Sequence, residues 1–319
     1  MSGLRIVLAG GAGHLGALLA RYFHDLGHSV AILSRSQRRF PWPAIFWDGE
    51  HLESWIAQLE GTDVVINLAG RSVNCRYSNA NRASIMDSRV RSTRVLGEAI
   101  GGLNNPPRLW MNSSTATIYR HSLDRPMDED TGEFGGHEPG VPTSWRFSIE
   151  VASNWEETFF SAKTPGTRKV ALRSAVVMGV DKGGAFDILL RLVRFGLGGA
   201  VGSGQQFVSW IHELDFTRAI DFLIKHEDLS GPMNLAAPNP LPNLEFMRQL
   251  RRAYGAPIGL PAPAWLVEIG TFLLQTESEL VMKSRRVVPG NLLRSGFCFA
   301  FPEWEAAARN LVTRWQSKT

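Results

Sequence analysis

Hydrophobic positions in this chain come in two alternating patterns, short unbroken runs and longer stretches at helical spacing. Arg5–Ala9 is strand-like; Leu15, Leu18, Leu19, Tyr22, Phe23 and Leu26 then share one helical face, Gly27 ends it, and Ser29–Leu33 is a run again. Unbroken runs suit strands covered on both faces, and a stripe at helical spacing suits a helix lying on a sheet. Ala44–Trp47 predicts a brief strand ending at Asp48, Leu52–Leu59 a short amphipathic helix, and Asp63–Leu68 a strand buried on both sides. A long helix runs from about Asn81 to Ile100, and Pro106 and Pro107 stop it before a strand at Leu109–Ser113. Helical spacing returns over Thr143–Ala162, and Lys169–Val177 reads as one further buried strand. The alternation predicts an α/β protein with a Rossmann-type doubly wound sheet of six or seven parallel strands.

Chemistry enters at the first turn. Gly10, Gly13 and Gly16 stand at GxxGxxG spacing between the first run and the first helical stretch, with Gly11, Ala12, His14 and Leu15 completing the loop. Between a strand and a helix, such glycines give a tight turn, close backbone approach to a pyrophosphate, and close packing of helix on strand. The helix aims its unpaired N–H groups at the phosphates. Where a protein selecting NAD presents an acid to the ribose 2′-hydroxyl, this chain has Ser34 and Arg35, with Arg38 and Arg39 beyond. A guanidinium fork suits a 2′-phosphate, so the reading is NADP; the alternative is an ordinary solvated basic loop. The loop lacks the GK[ST] that holds phosphates and Mg²⁺ in ATP-hydrolysing proteins.

The pattern changes near Gly179. Gly183, Gly184, Gly196, Gly198, Gly199, Gly202 and Gly204 interrupt any long helix, although Phe186–Phe195 keeps helical spacing. Prolines from Pro232 to Pro263 break the chain there into short elements. Residues 1–178 therefore read as the nucleotide-binding domain, completed by 205–230, with 179–204 and 231–319 as a smaller C-terminal substrate-side region. Asp215 reads as the N-cap of a helix from Phe216. The region after Gly179 is expected to close over the nicotinamide end of the cofactor, since its glycines bend and its aromatics exclude water, with Gly196–His212 the segment that cofactor protects.

The 319 residues are 44% hydrophobic and 20% charged, the balance of an ordinary globular protein. The net charge of +4 is scattered, with no basic block to mark a nucleic-acid footprint. Cys75 and Cys298 stand far apart, which suits free thiols in a reducing compartment, and no CxxC or HExxH spacing offers a metal site. No signal-like segment precedes the first strand, and no apolar run is long enough to span a bilayer. The expectation is a cytoplasmic chain, or a mature soluble protein of an organelle, that binds a small-molecule substrate and neither nucleic acid nor membrane, with a homodimer left open.

Several words of the sequence converge on a family. The loop GGAGHLG, the tetrad Asn67-Leu68-Ala69-Gly70, and SSTATIY ending at Tyr119 resemble the extended short-chain dehydrogenases/reductases, which include nucleotide-sugar epimerases. AGRSVNCRYS with Ser88-Arg89-Val90, Trp155-Glu156, Gly202-Ser203-Gly204-Gln205, Ser209-Trp210-Ile211-His212, Asn234-Leu235 and Arg286-Val287-Val288-Pro289 resemble its epimerase-like family 39U over nearly the whole chain. The resemblance implies that Gly10, Gly13 and Gly16 line the pyrophosphate, Ser34 and Arg35 the 2′-phosphate, and Asp48 the adenine edge. It places Leu68, Ala69 and Gly70 along the ribose and phosphates, Ser113 in the cofactor-lining set, and Thr115 in the catalytic Ser/Thr place near the nicotinamide.

One departure stands against these matches. Active members pair Tyr with Lys at YxxxK spacing, the ammonium lowering the phenol's pKa so that a proton can accompany the hydride. None of Tyr22, Tyr77, Tyr119 and Tyr254 has that lysine, and the helix from Arg146 offers only Phe147, Ser148, Val151 and Ala152. Arg120 also replaces the glycine that ordinarily comes after the tyrosine of SxxxY. Substitute acids are Tyr77, whose neighbour Arg76 would favour a phenolate, and His212, which could titrate near neutrality. Trp210 and Phe207 could wall a planar ligand. Two functions are open: an NADP(H)-dependent epimerase-like oxidoreductase acting on a carbonyl or hydroxyl substrate, or a non-catalytic NADP(H)-responsive binding or regulatory protein.

Overall fold

The computed structural model describes residues 3–36, 39–265 and 277–318. In chain order its strands are β1 (Arg5–Ala9), β2 (Ser29–Ser34), β3 (Ala44–Phe46), β4 (Val64–Asn67), β5 (Leu109–Thr115), β6 (Arg168–Ser174), β7 (Val176–Met178), β8 (Phe207–Val208), β9 (Trp210–His212), β10 (Gly231–Leu235) and β11 (Leu241–Pro242). Seven form one sheet in the order β10-β6-β5-β4-β1-β2-β3, every pairing parallel. The chain runs outward from β1 to β3 and then returns to the other side of β1 with β4. That reversal separates the loops at the carboxyl ends of β1 and β4 and opens a crevice there.

Each face of the sheet is sealed by helices whose apolar stripes match the pattern read along the chain. Helices α1 (His14–Asp25) and α5 (Glu213–Lys225) bury Leu19, Phe23, Phe216 and Ile220 against Ile6, Leu8 and Ile66. On the other face, α2 (Asn79–Gly101) and α3 (Arg146–Ser161) bury Leu96, Ile100 and Phe159 against Val7, Val65 and Trp110. Beyond α3 and before α5 lies α4 (Ala185–Arg194), which with α6 (Asn243–Tyr254) and a closing helix, Trp304–Gln316, forms the smaller lobe. Phe246 stacks on Trp304 at 4.0 Å, and Trp210 meets the same indole at 4.9 Å, so Trp210 is core and not a ligand wall.

Three expectations are corrected. The strand expected at Lys169–Val177 divides at Ala175: its N–H goes to the Leu235 carbonyl at 3.0 Å, while Val176 turns away to pair with Trp210. Gly231–Leu235 is the edge strand of the main sheet, so a boundary at 231 cuts through the Rossmann unit. Helix α5 starts at Glu213, capped by His212, whose Nδ1 accepts the Leu214 N–H at 3.0 Å. Asp215 sits inside the helix, fully buried, and its carboxylate instead accepts the N–H groups of Ala300 and Phe301, each at 2.8 Å.

A segment before the closing helix straps the two lobes together. Val287 bridges to Met127 and donates its N–H to Ser209 Oγ at 2.8 Å, and the Val288 carbonyl accepts from Asn234 Nδ2 at 3.0 Å. No helix among the described residues is long and apolar enough to cross a membrane, and none of them form a metal-ligand cluster.

Candidate functional site

The glycines of the loop do three different things. Gly10 has a φ of +72°, and a Cβ there would come within 2.7 Å of the Ala69 backbone, so the loop crosses directly over the chain leaving β4. A Cβ on Gly16 would meet the Gly11 backbone at 2.2 Å, because α1 lies on the loop. A Cβ on Gly13 would meet only the Gly10 carbonyl, at 3.9 Å, and Gly13 lines the cleft. Gly13 is also the N-cap of α1, with no side-chain cap and no acid in the first turn, which leaves N–H groups and the positive helix end to an anion. This cradle fits the pyrophosphate of a dinucleotide.

The cleft has a volume of ≈ 730 Å³ and takes in Gly10, Ala12, Gly13, Ser34, Arg35, Asp48, Leu68, Ala69 and Gly70. Gly11 and Gly16 are buried behind it, Leu15 packs into the core, and His14 faces Asp181 at 3.4 Å. Ser34 Oγ accepts the Ser36 N–H at 2.9 Å and fixes the lip on which Arg35 stands exposed, with no carboxylate in ion-pair range among the described residues. Arg38 lies outside the described residues, and Arg39 is exposed. Asp48 turns its carboxylate into its own loop: against desolvation, bonds from the His51 ring and the N–H groups of Glu50 and His51 hold its pKa down at about 2. Its acceptors, expected at the adenine edge, are thus already engaged. The floor is α2, through Ala80, Ser84, Ser88 and Ser92, four residues apart along one face. An apolar-stripe reading passes over such a row; small residues at every fourth position were the available signal.

Beneath the loop, Asn67 is a brace: its Oδ1 accepts the Ala69 N–H at 3.0 Å and its Nδ2 donates to Asn112 Oδ1 at 2.7 Å. Ser113 is half-buried on β5 and does not line the cleft. Thr115 ends the same strand, its Oγ1 accepting the Thr117 N–H at 3.1 Å. Around this strand end the structure gathers groups that spacing could not connect. Arg285 Nε donates to Thr117 Oγ1 at 3.0 Å, and Lys283 Nζ donates to the Thr117 carbonyl at 2.9 Å. Burial, then the charge of Arg285, pushes the Lys283 ammonium down to about 8. Glu279 Oε2 accepts from Ser148 Oγ at 2.6 Å, whereas Glu279 Oε1 has no hydrogen-bond partner among the described residues.

Tyr77 joins this cluster but not as a phenolate. Its hydroxyl bonds with Ser148, its ring meets Phe147 edge-on at 5.1 Å, and burial raises its pKa above the ordinary phenol value. The charge of Arg76 is matched by Glu277, 3.9 Å away. His212 is removed from the site altogether: it is 1% exposed, stacked on Phe301, and bonded to Asn310. Burial holds its pKa at about 4, so it does not titrate near neutrality. Phe207 lies beneath Arg286, and no residue of Gly196–His212 lines the nucleotide cleft. The chain that reaches the Thr115 end is 279–285 instead. Tyr119 is fully buried, donating to Asn234 Oδ1 at 3.0 Å and accepting from Arg173 Nη1 at 2.8 Å.

The profile of the NAD dependent epimerase/dehydratase family matches residues 6–236, the stretch from β1 through β10 that builds the sheet and the cleft. The chain belongs to that family. A second profile, a domain of unknown function (DUF1731), matches residues 262–311 of this epimerase-family chain and so includes the strap. The mouse epimerase family protein SDR39U1 is 31% identical over 97% of this chain and 100% of its own length. The Bacillus subtilis epimerase family protein YfhF is 30% identical over 97% of this chain and 98% of its own. The crystal structure of human epimerase family protein SDR39U1 (isoform 2), solved with NADPH, superposes with a TM-score of 0.84 at 28% identity, covering 97% of this chain and 99% of that one. Of the residues gathered at the Thr115 strand end, Glu279, Lys283 and Arg285 lie in the second matched region and Ser148 in the first.

Proposed function

We propose that the chain binds NADP(H) and is an epimerase-like oxidoreductase for a small carbonyl or hydroxyl substrate, the dinucleotide lying along the cleft with its nicotinamide toward Thr115. The observation that carries the reading is the cradle: Gly13 open to the cleft at an uncapped helix end, with Ser34 and Arg35, and no acid, at the tip of β2. The NADPH in the human relative's structure supports the same choice. The backbone of Gly10 to Gly13 would hold the pyrophosphate, Ser34 and Arg35 the 2′-phosphate, and Leu68 to Gly70 the adenosine ribose. Bound cofactor would supply or accept hydride at the substrate carbon. Thr115 Oγ1 already accepts a backbone N–H, which turns its own proton outward to a substrate oxygen. Lys283 and Arg285, anchored on Thr117, would favour negative charge growing on that oxygen.

Calorimetric titration of NADPH and NADH tests the cofactor half. A charge-assisted contact is worth about 1.5–3 kcal/mol, so Arg35→Ala is expected to weaken NADPH roughly tenfold or more and leave NADH little changed. Equal affinity of the native protein for both nucleotides would overturn the selectivity. A second reading, a non-catalytic NADP(H)-responsive protein, is favoured by Ser148 and Ala152 standing on the helix that should carry the Tyr–Lys pair. Turnover on sugar-nucleotide, ketone and aldehyde panels that Thr115→Val abolishes supports the enzyme; nucleotide binding with no turnover supports the second reading.

A further inference from the structure

We propose that Ser148 and Glu279 form the proton relay of this site, Ser148 touching the reacting substrate oxygen and Glu279 supplying or receiving the proton behind it. The inference rests on the placement of the nicotinamide at Thr115 proposed above. Ser148 lies in the first turn of α3, the helix that packs against the turn Ala116–Ile118 directly after Thr115. Ser148, Tyr77, Thr115 and Thr117 all remain half-buried, so a small substrate can reach them.

Glu279 does not behave as a structural carboxylate. It is 3% exposed, and a buried carboxylate oxygen ordinarily has a hydrogen-bond partner. Here one oxygen holds Ser148 and the other is unpartnered among the described residues, with Lys283 Nζ 3.9 Å from it. The groups facing this carboxyl are Ser148 from α3, Tyr77 from the loop before α2, and Glu277, Lys283 and Arg285 from its own segment. Burial is the largest influence and raises its pKa, while Arg285, Ser148 and Lys283 oppose that shift. Burial thus favours the neutral carboxyl more than water does, and the bond from Ser148 favours the ionised one. When neutral, its acid O–H donates to Ser148 Oγ and leaves the serine proton for a substrate; when ionised, it accepts from Ser148.

In the reducing direction, the carbonyl carbon takes a hydride from the reduced nicotinamide and the C=O π pair moves onto oxygen. That oxygen takes the Ser148 proton, Ser148 Oγ takes the acid proton of Glu279, and a carboxylate remains beside Lys283 and Arg285. The products are an alcohol, oxidised nicotinamide and ionised Glu279, which recovers its proton from solvent. Oxidation of an alcohol runs the same path backwards. Ser148 is the catalytic residue of this pair, and Glu279 acts through it.

NADP⁺ carries a positive charge on its nicotinamide that NADPH lacks, so, with the ring at Thr115 as proposed above, a neutral carboxyl nearby releases its proton more readily on binding NADP⁺ than NADPH. Titrating the full chain with each nucleotide, in two buffers of different ionisation enthalpy, reads the protons released on binding. Over a pH series, more release with NADP⁺ than with NADPH is expected, the difference vanishing in Glu279→Gln. In Ser148→Ala, which removes the donor to the ionised form, the release should move to higher pH. Equal release for the two nucleotides, or a difference that survives Glu279→Gln, overturns the relay and leaves the cofactor reading standing. If Glu279→Gln does not fold, an unshifted profile in Ser148→Ala overturns it. Absence of binding by either nucleotide defeats the cofactor reading and the relay with it.

Discussion

A methyl group added at Gly16 meets different surroundings from one added at Gly13. At Gly16 it would enter the Gly11 backbone, so Gly16→Ala should cost about 1–3 kcal/mol, seen as a lower urea midpoint. At Gly13 it would project into space that the pyrophosphate occupies, so Gly13→Ala should leave the midpoint nearly unchanged and weaken NADPH instead. His212 yields a pH prediction. Because burial lowers its pKa from 6.5 to about 4, the unfolded chain binds more protons than the folded one between those values. The stability that neutral His212 contributes is therefore complete above pH 6.5 and lost as the pH falls toward 4, by roughly 3 kcal/mol in all. His212→Asn keeps a capping acceptor and removes the titration, so the decline of the urea midpoint over that range should flatten. An unchanged slope would falsify the assignment. The cap itself was not legible: the familiar capping residue in SWIHELD is Asp215, whereas the ring nitrogen three residues earlier makes the cap and the aspartate secures the chain at Ala300 and Phe301.

Between elements, the decisive contact is the buried ion pair joining α3 to β6. Arg173 donates Nε and Nη2 to the two oxygens of Glu156, at 2.8 and 2.7 Å, and Ser114 Oγ also donates to the carboxylate. Arg173 in addition holds Tyr119, so removing its partner strands a guanidinium in the interior. Glu156→Ala should cost about 3–5 kcal/mol in urea unfolding, and adding Arg173→Met should recover much of it, since an apolar replacement carries no unpaired charge. At this scale most of the fold was readable. Periodicity placed α1, α2 and the runs that become β1, β2, β4 and β5 to within a few residues, because their burial is set by local alternation. The break at Ala175 was not, because KVALRSAVV carries no glycine, proline or turn signal, and only pairing with Leu235 and Trp210, far along the chain, decides where one strand ends.

Over the whole molecule, the nucleotide cleft and the Thr115 cluster differ in how local they are. The cleft draws on residues 10–92, and its glycines and Arg35 could be named from spacing alone. The cluster draws on Tyr77, Thr115, Ser148 and 279–285, brought together only by tertiary packing, so no motif could announce it. That anatomy sets the expected pattern of hydrogen exchange. NADPH should slow exchange at the glycine loop and again at 279–287, while Gly196–Gly204, which packs on Leu260 and Ala262, should be little affected. Protection of Gly196–Gly204 without 279–287 would contradict the arrangement. The strap also imposes an order in time. Chains fold from the end made first, and the glycine loop, β1 to β6 and the floor of α2 are all translated before residue 279 exists. A growing chain therefore carries the whole glycine loop and cleft floor while residues 279–285 are still unmade. On the reading proposed above, the seat for the nucleotide is made before the groups assigned to proton transfer.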